Sequence, residues 1–223
     1  MCGQGAPLVP IGDQLLFNDF EACLNLGGIA NISFRSQNKM QAFDICPCNI
    51  ILNRVARWLG QPYDDKGAIA ASAEPDMNLL NQLDALPFYQ IQGARSLGRE
   101  WINEIFWPVI KSFPDTLEPV KMATLSLHIA RQISAVINKN NIHRLLITGG
   151  GAYNSHLLEW IKTQTKAEII IPDESIINFK EALIFAFLGV LRIKNQTNVL
   201  CSVTGSKRNN IGGALYGDFS KLN

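Results

Sequence analysis

Two glycine clusters and one strand-borne aspartate are the residues whose types and spacing suit chemistry. Leu145-Leu146-Ile147-Thr148-Gly149-Gly150-Gly151-Ala152 runs an apolar strand into three glycines and then a helix. Glycines without a Cβ let a ligand approach the backbone, and the helix N-terminus offers free N–H groups and a positive dipole end. Gly149, Gly150 and Gly151 are therefore candidates for nucleotide contact. The stretch is not a dinucleotide fingerprint, because Asn154 stands where the third glycine belongs, and no Gly-Lys-Ser/Thr follows to make a P-loop. Gly27-Gly28 forms a second cluster between two strands. It reads either as a type I′ hairpin turn or as a turn whose amides face a phosphate. In Phe43-Asp44-Ile45-Cys46-Pro47-Cys48-Asn49, Asp44 is expected at the end of a strand, in the turn that opens a helix. A carboxylate there either takes a proton from a hydroxyl or water nucleophile or caps the turn. Arg95, Arg99 and Glu100 gather charge at another turn, where a solvated ion pair is the plain alternative. Glu181 follows Lys180 at the expected head of an apolar helix, a place that also suits the helix dipole.

These residues need elements to hold them. Apolar runs broken by turn residues predict strands at 22–26, 29–34 and 40–44, an antiparallel meander. The period then becomes helical at 50–59, stopped by Gly60 and Pro62, and again at 75–86. A third helical candidate, 98–112, contains Pro108, which should kink or end it. The cleanest amphipathic helix is 122–138; a strand at 143–147, a helix at 154–163 and a strand at 168–171 follow. The last helix, 179–193, is apolar nearly all round and so is expected to be enclosed by other elements. The order β-β-β-α, a helical insertion over about 62–118, then α-β-α-β-α predicts an α/β domain with a mixed sheet. This is the order of the ribonuclease-H-like fold, on which the actin, hexokinase and Hsp70 superfamily builds each lobe.

Composition narrows the function classes. The 223 residues carry 20 Lys+Arg against 19 Asp+Glu, a net charge of +1 that gives no field for gripping nucleic acid. With 47% apolar and 17% charged residues the chain is a folded globular domain. The first ten residues lack a signal-peptide pattern, and the longest apolar run, 182–191, is half of what a bilayer span requires. Five scattered cysteines point to the reducing cytoplasm. The Cys46-Pro47-Cys48 spacing and three unrelated histidines supply no second pair of metal ligands.

Taken together, the segments resemble the anhydro-N-acetylmuramic acid kinase family of bacterial cell-wall recycling. The resemblance is carried by GQGAPLVP (3–10), NLGGIANIS (25–33), FDICPCN (43–49), YDDKGAIA (63–70), SLGRE (96–100), ITGGGAYN (147–154), EALIFAFL (181–188) and SVTG (202–205). It implies an actin-like kinase that opens the 1,6-anhydro ring with water and phosphorylates O6 from ATP with Mg2+, giving N-acetylmuramic acid 6-phosphate. It further implies Asp44 as the general base, Gly27 and Gly28 as the second phosphate motif, and Gly149, Gly150 and Gly151 as the adenosine motif. Glu181 and Asn49 fall on the substrate and metal side of the cleft, with no direct metal ligand. The implied partners are the amino sugar and ATP, in the cytoplasm, with neither nucleic acid nor membrane.

The chain departs from the family in three places. The usual FDTGPGN is here FDICPCN, and the usual PPKSTGRE is GARSLGRE, with Arg95 in place of the lysine. Family members also carry an N-terminal lobe with a GTSxDGxD loop. Residues 1–223 therefore read as the C-terminal lobe, with 1–21 a remnant of the inter-lobe segment. The missing lobe or a homodimer is the expected protein partner. Two alternatives remain beside the kinase reading: a non-catalytic nucleotide- or sugar-binding remnant, and another sugar kinase of the same superfamily.

Overall fold

The computed structural model describes residues 3, 5–91 and 93–217; Met1, Cys2 and Gln4 of the opening segment, Gln92, and residues 218–223 lie outside them. The chain runs α1 (Val9–Leu16), β1 (Ala22–Leu26), β2 (Ile29–Ser36), β3 (Lys39–Pro47) and α2 (Asn49–Trp58). Short helices α3 (Ala68–Ala71), α4 (Met77–Asp84), α5 (Arg99–Trp101) and α6 (Trp107–Lys111) lead to the long α7 (Glu118–Lys139). Then come β4 (Arg144–Thr148), α8 (Ser155–Gln164), β5 (Glu168–Ile170), α9 (Glu174–Ile193) and α10 (Cys201–Thr204).

The strands form a mixed sheet in the order β3-β2-β1-β4-β5, the expected ribonuclease-H-like arrangement. β1, β2 and β3 pair antiparallel through tight turns, and β4 and β5 add in parallel through helical crossovers. Because side chains alternate along a strand, each strand serves two faces. Leu24, Leu26, Ala30, Ile32, Leu145 and Ile147 point into one large core. Over that core lies α7, about 33 Å long at 1.5 Å per residue, packed against α2, α3, α4, α8 and β3. The other face meets α1 and α9, which share a smaller apolar cluster of Ile11, Ile184, Leu188 and Leu191. No helix among the described residues is long and apolar enough to cross a membrane.

Several local expectations need correction. β3 runs on to Pro47, so Asp44 sits inside the strand rather than in the turn after it. A bulge between Ala30 and Asn31 lets pairing continue past Asp44, with Cys46 opposite Ala30 and Pro47 opposite Ile29. Pro108 does not end its helix. A π-helical turn over Ile102–Phe106 joins α5 to α6 and absorbs the missing N–H, and the segment stays helical to Lys111. α9 starts at Glu174, where the Asp173 side chain accepts from Ile176 N at 3.1 Å. Glu181 is thus about two turns inside α9 and not at its head. Nor is α9 enclosed all round: Phe179 is 65% exposed, and Leu183, Phe185 and Val190 are exposed too.

A buried polar network fastens the short helices to α7. His128 is fully buried, with Nδ1 2.6 Å from Asp84 Oδ1 and Nε2 2.8 Å from the Tyr89 hydroxyl. Burial pushes the His128 pKa down, against the pull of Asp84, so the ring is neutral, donating to Asp84 and accepting from Tyr89. Burial alone would raise the Asp84 carboxyl, but hydrogen bonds from His128, Arg131 and Gln132 outweigh it and hold it below the ordinary carboxylate range. Both directions mean acid sensitivity. Below the ordinary histidine value of 6.5, the unfolded chain binds the proton that the folded one refuses, so stability falls as pH falls. Asp84 adds a second loss below its usual 3.8. The melting temperature should drop between pH 7.5 and 5, and His128→Gln should flatten that drop; an equal slope in the variant would place the acid response elsewhere.

Candidate functional site

A cavity of about 630 Å³ opens on the face of the sheet turned toward α1 and α9. Its floor is a row of polar side chains, one from each of four neighbouring strands. Asp44 of β3 pairs with Asn31 of β2, Asn31 with Asn25 of β1, and Asn25 with Thr148 of β4. All four line the cavity. One step along the strands, Ala42, Ser33 and Cys23 form a second row beneath them.

Asp44 is held from one side. Its Oδ2 accepts from Leu97 N at 2.7 Å and Ser96 Oγ at 3.2 Å, and Asp44 N donates to Arg95 O at 3.0 Å. Arg95 returns the contact, Nε donating to Asp44 O at 3.0 Å and Nη1 to Ile91 O at 3.2 Å, its guanidinium lying over Phe43 and Phe88. The 93–97 loop thus fixes the carboxylate and leaves Oδ1 without a hydrogen bond among the described residues. Cys46 and Cys48 are fully buried in the main core and do not reach the cavity. Burial pushes the Cys48 thiol up to about 12 and that of Cys46 well above its ordinary value, so neither serves as a nucleophile.

The opposite wall comes from α1 and α9. Lys180 Nζ lies 2.8 Å from Asp13 Oδ1, and Ser33 Oγ donates to Asp13 Oδ2 at 2.5 Å. Both charged residues are only 6% exposed. This clamp joins α9, α1 and β2 and turns the next residue, Glu181, to the cavity. Beside it, Cys23 is pushed up to about 12, chiefly by burial.

The glycines divide. Gly149 and Gly150 line the cavity, next to Thr148; Gly151, Gly27, Gly28 and Asn49 do not. Gly149 has φ +82°, and a Cβ there would strike Asn25 Oδ1 and the Leu26 backbone. A Cβ on Gly151 would fall 2.6 Å from Leu26 Cβ. Close packing on β1 demands both glycines, whereas Gly150 has room around it. A 3₁₀ turn, Gly150–Tyr153, separates them from α8, whose first amides are met by the Asn154 side chain through Leu157 N. Gly27 and Gly28 both lack a positive φ, so their turn is not type I′. Their carbonyls accept from Asn49 N, Cys48 N and Ile50 N, tying down the start of α2. Asn49 Nδ2 donates to Leu26 O at 2.9 Å, bracing the same corner from behind.

Asp44, Gly149, Gly150 and Glu181 are therefore brought together. Asn25, Asn31, Ser33, Thr148, Lys180 and Ser96, which lie in the quoted segments without an assigned role, join them, as does Asp13. Alternation within Asn25–Ser33 was the available signal for three of these; nothing local marked Asp13. Among the described residues no three His, Cys, Asp or Glu side chains converge as a cage for a metal ion.

Removing one partner of a buried ion pair strands the other charge, at about 3–5 kcal/mol. Lys180→Met should lower the unfolding free energy by that order in urea titrations. Lys180→Met with Asp13→Asn should lose clearly less, and a purely additive double variant would refute the coupling.

Comparison with known proteins gives a consistent picture. The family model described as anhydro-N-acetylmuramic acid kinase matches residues 1–218. The chain is 34% identical over 229 residues to the anhydro-N-acetylmuramic acid kinase of Legionella pneumophila (strain Corby), covering 96% of this chain and 61% of that relative. It is 32% identical over 241 residues to the enzyme of that name from Acinetobacter baylyi, covering 96% and 63%. The chain thus spans less than two thirds of the length of these curated relatives. Among solved structures, component A of (R)-2-hydroxyglutaryl-CoA dehydratase from Acidaminococcus fermentans superposes with a TM-score of 0.52 at 14% identity, over 79% of this chain and 63% of that one. That likeness is one of fold, the actin-like ATPase fold.

Proposed function

This chain belongs to the anhydro-N-acetylmuramic acid kinase family, and from that premise we propose that its cavity is one lobe's share of a sugar-kinase site. The substrates would be 1,6-anhydro-N-acetylmuramic acid, water and ATP, and the product N-acetylmuramic acid 6-phosphate. Asp44 carries the reading. The Leu97 N–H and the Ser96 hydroxyl donate to its Oδ2 and orient the carboxylate, so Oδ1 is left for a water molecule in the cavity.

In the proposed reaction Asp44 takes a proton from water as the oxygen bonds to the anomeric carbon. The C1–O6 bond breaks, and O6 accepts the γ-phosphoryl group. The bond between that phosphorus and the β-phosphate bridging oxygen breaks in turn, and ADP leaves with the electron pair. Positioning and charge supply most of the acceleration in such transfers. Arg95 and Ser96 hold the base, and Gly149-Gly150 offers backbone on the nucleotide side. Mg2+ keeps most of its water and phosphate ligands and asks for only one or two protein carboxylates. Glu181, which lines the cavity, would meet that demand through the ion's water shell and not as a direct ligand, and the ion would offset phosphate charge when bound. Among the described residues the four cysteines, Cys23, Cys46, Cys48 and Cys201, are free thiols, which fits work in the reducing cytoplasm.

In-line transfer needs groups on both sides of the nucleotide. Because the chain spans 61–63% of its curated relatives, a second reading is nucleotide and sugar binding without turnover. In both readings the groups on the far side of the nucleotide would come from outside residues 1–223. A coupled ADP-release assay with ATP, Mg2+ and the anhydro sugar separates the two. Turnover should appear with the kinase, fall by about 10²–10⁴ in Asp44→Asn, and stop with EDTA. Nucleotide binding with no turnover would select the second reading, and an active Asp44→Asn variant would remove Asp44 as the base.

A further inference from the structure

A second cavity, of about 560 Å³, continues the first along the same face of the sheet. Ser33 pairs with Ala42 beneath the Asp44 row, and a further step along the strands Arg35 pairs with Met40 inside the second cavity. Asp13, Cys23 and Ser33 line both cavities, so the Asp13–Lys180 clamp is the partition between them. The far wall of the second cavity comes from the segment before β1 and the turn after α7. We propose that this cavity is a binding site for a neutral saccharide of one or two rings. Nothing in the kinase reading uses it, and the inference stands apart from that reading.

The lining has the chemistry of a sugar site. Ten of its seventeen residues end in a planar carboxylate, carboxamide or guanidinium, and none is a lysine. A planar group offers two polar atoms side by side, which matches two neighbouring hydroxyls of a sugar ring. These groups are not used up on one another. Gln14, Asn18, Gln37 and Asn38 make no side-chain hydrogen bond among the described residues. Arg35 follows Phe34, the partner of Ala22, and so stands opposite Glu21. Yet no ion pair joins Arg35 to a carboxylate among the described residues. Glu21 uses only Oε2, which accepts from His143 N at 2.6 Å. The Gln37-Asn38 turn, with φ +48° and +63°, is a type I′ link between β2 and β3 and brings two carboxamides to the lining.

A sugar also has apolar C–H faces. Buried Phe34, Met40 and Ile142 and half-buried Phe20 supply apolar lining for them. The volume falls within the roughly 300–1,000 Å³ of small-molecule sites. Charge selects the neutral class. Lys180 offsets Asp13, which leaves Asp19 and Glu21 against Arg35 alone. A carboxylated sugar would add a like charge to that excess.

Saturation-transfer NMR with titration on the full chain tests the site, using N-acetylglucosamine, its β-1,4-linked dimer and glucuronate as probes. Both neutral sugars should bind, and glucuronate should bind about fivefold more weakly or worse. Gln14 and Asn38 line the second cavity and not the first. Gln14→Ala and Asn38→Gly should each weaken N-acetylglucosamine by about fivefold, the loss of one neutral hydrogen bond. Alanine suits the α1 helix and glycine suits the left-handed backbone at 38, so both variants keep the fold. Neutral sugars that fail to bind, or that bind both variants as tightly as wild type, would overturn the site. Glucuronate binding as tightly as N-acetylglucosamine would overturn the neutral class. Either result leaves the kinase reading intact, and a chain without kinase turnover leaves the saccharide site intact.

Discussion

A β-strand sends alternate side chains to opposite faces, and in this chain both faces of the sheet are occupied. Leu24, Leu26, Ile32 and Ile147 commit one face to the core under α7. The pleat then leaves Cys23, Asn25, Asn31, Ser33 and Thr148 no choice but the other face. A one-residue slip in any strand would bury the amides and expose the leucines, so the apolar core enforces the register of the polar floor. The site is thus the reverse side of the core, and its alignment costs no separate specification. The bulge at Ala30/Asn31 is the one local adjustment, and it keeps β3 paired beyond Asp44.

The second wall depends on a different interaction. α9 is long and largely apolar, and an apolar stripe alone would let it slide or rotate on α1. The Asp13–Lys180 pair, held by Ser33, pins one residue of α9 to one of α1 and one of β2. Buried ion pairs add little net stability but tolerate few alternative geometries. Here that intolerance orients Glu181, the residue after the lysine.

The element pattern was largely readable, because strands and amphipathic helices are local patterns punctuated by glycine and proline. The errors had local causes as well. Pro47 and Asp44 resemble turn residues, and only pairing with β2 keeps them in a strand. Pro108 resembles a helix stop, and only the π turn at Ile102–Phe106 carries the helix past it. The first turn of α9 is partly polar, so periodicity found its start late, although Asp173 is a visible cap. Apolar composition also misled at Phe179 and Phe185, which are exposed despite lying in a hydrophobic run.

By itself the sequence determined the class of the fold, the family, and the candidacy of Asp44, Glu181 and the triple glycine, because these are statements about residue type and spacing along one chain. Only the tertiary structure decided which glycines face the cavity and which merely allow β1 to pack, since that depends on what lies across from each missing Cβ. It also decided that Asp44, Asn31, Asn25 and Thr148 form one row. Strand register is set by the sum of core contacts over four strands, and no stretch of sequence contains that sum.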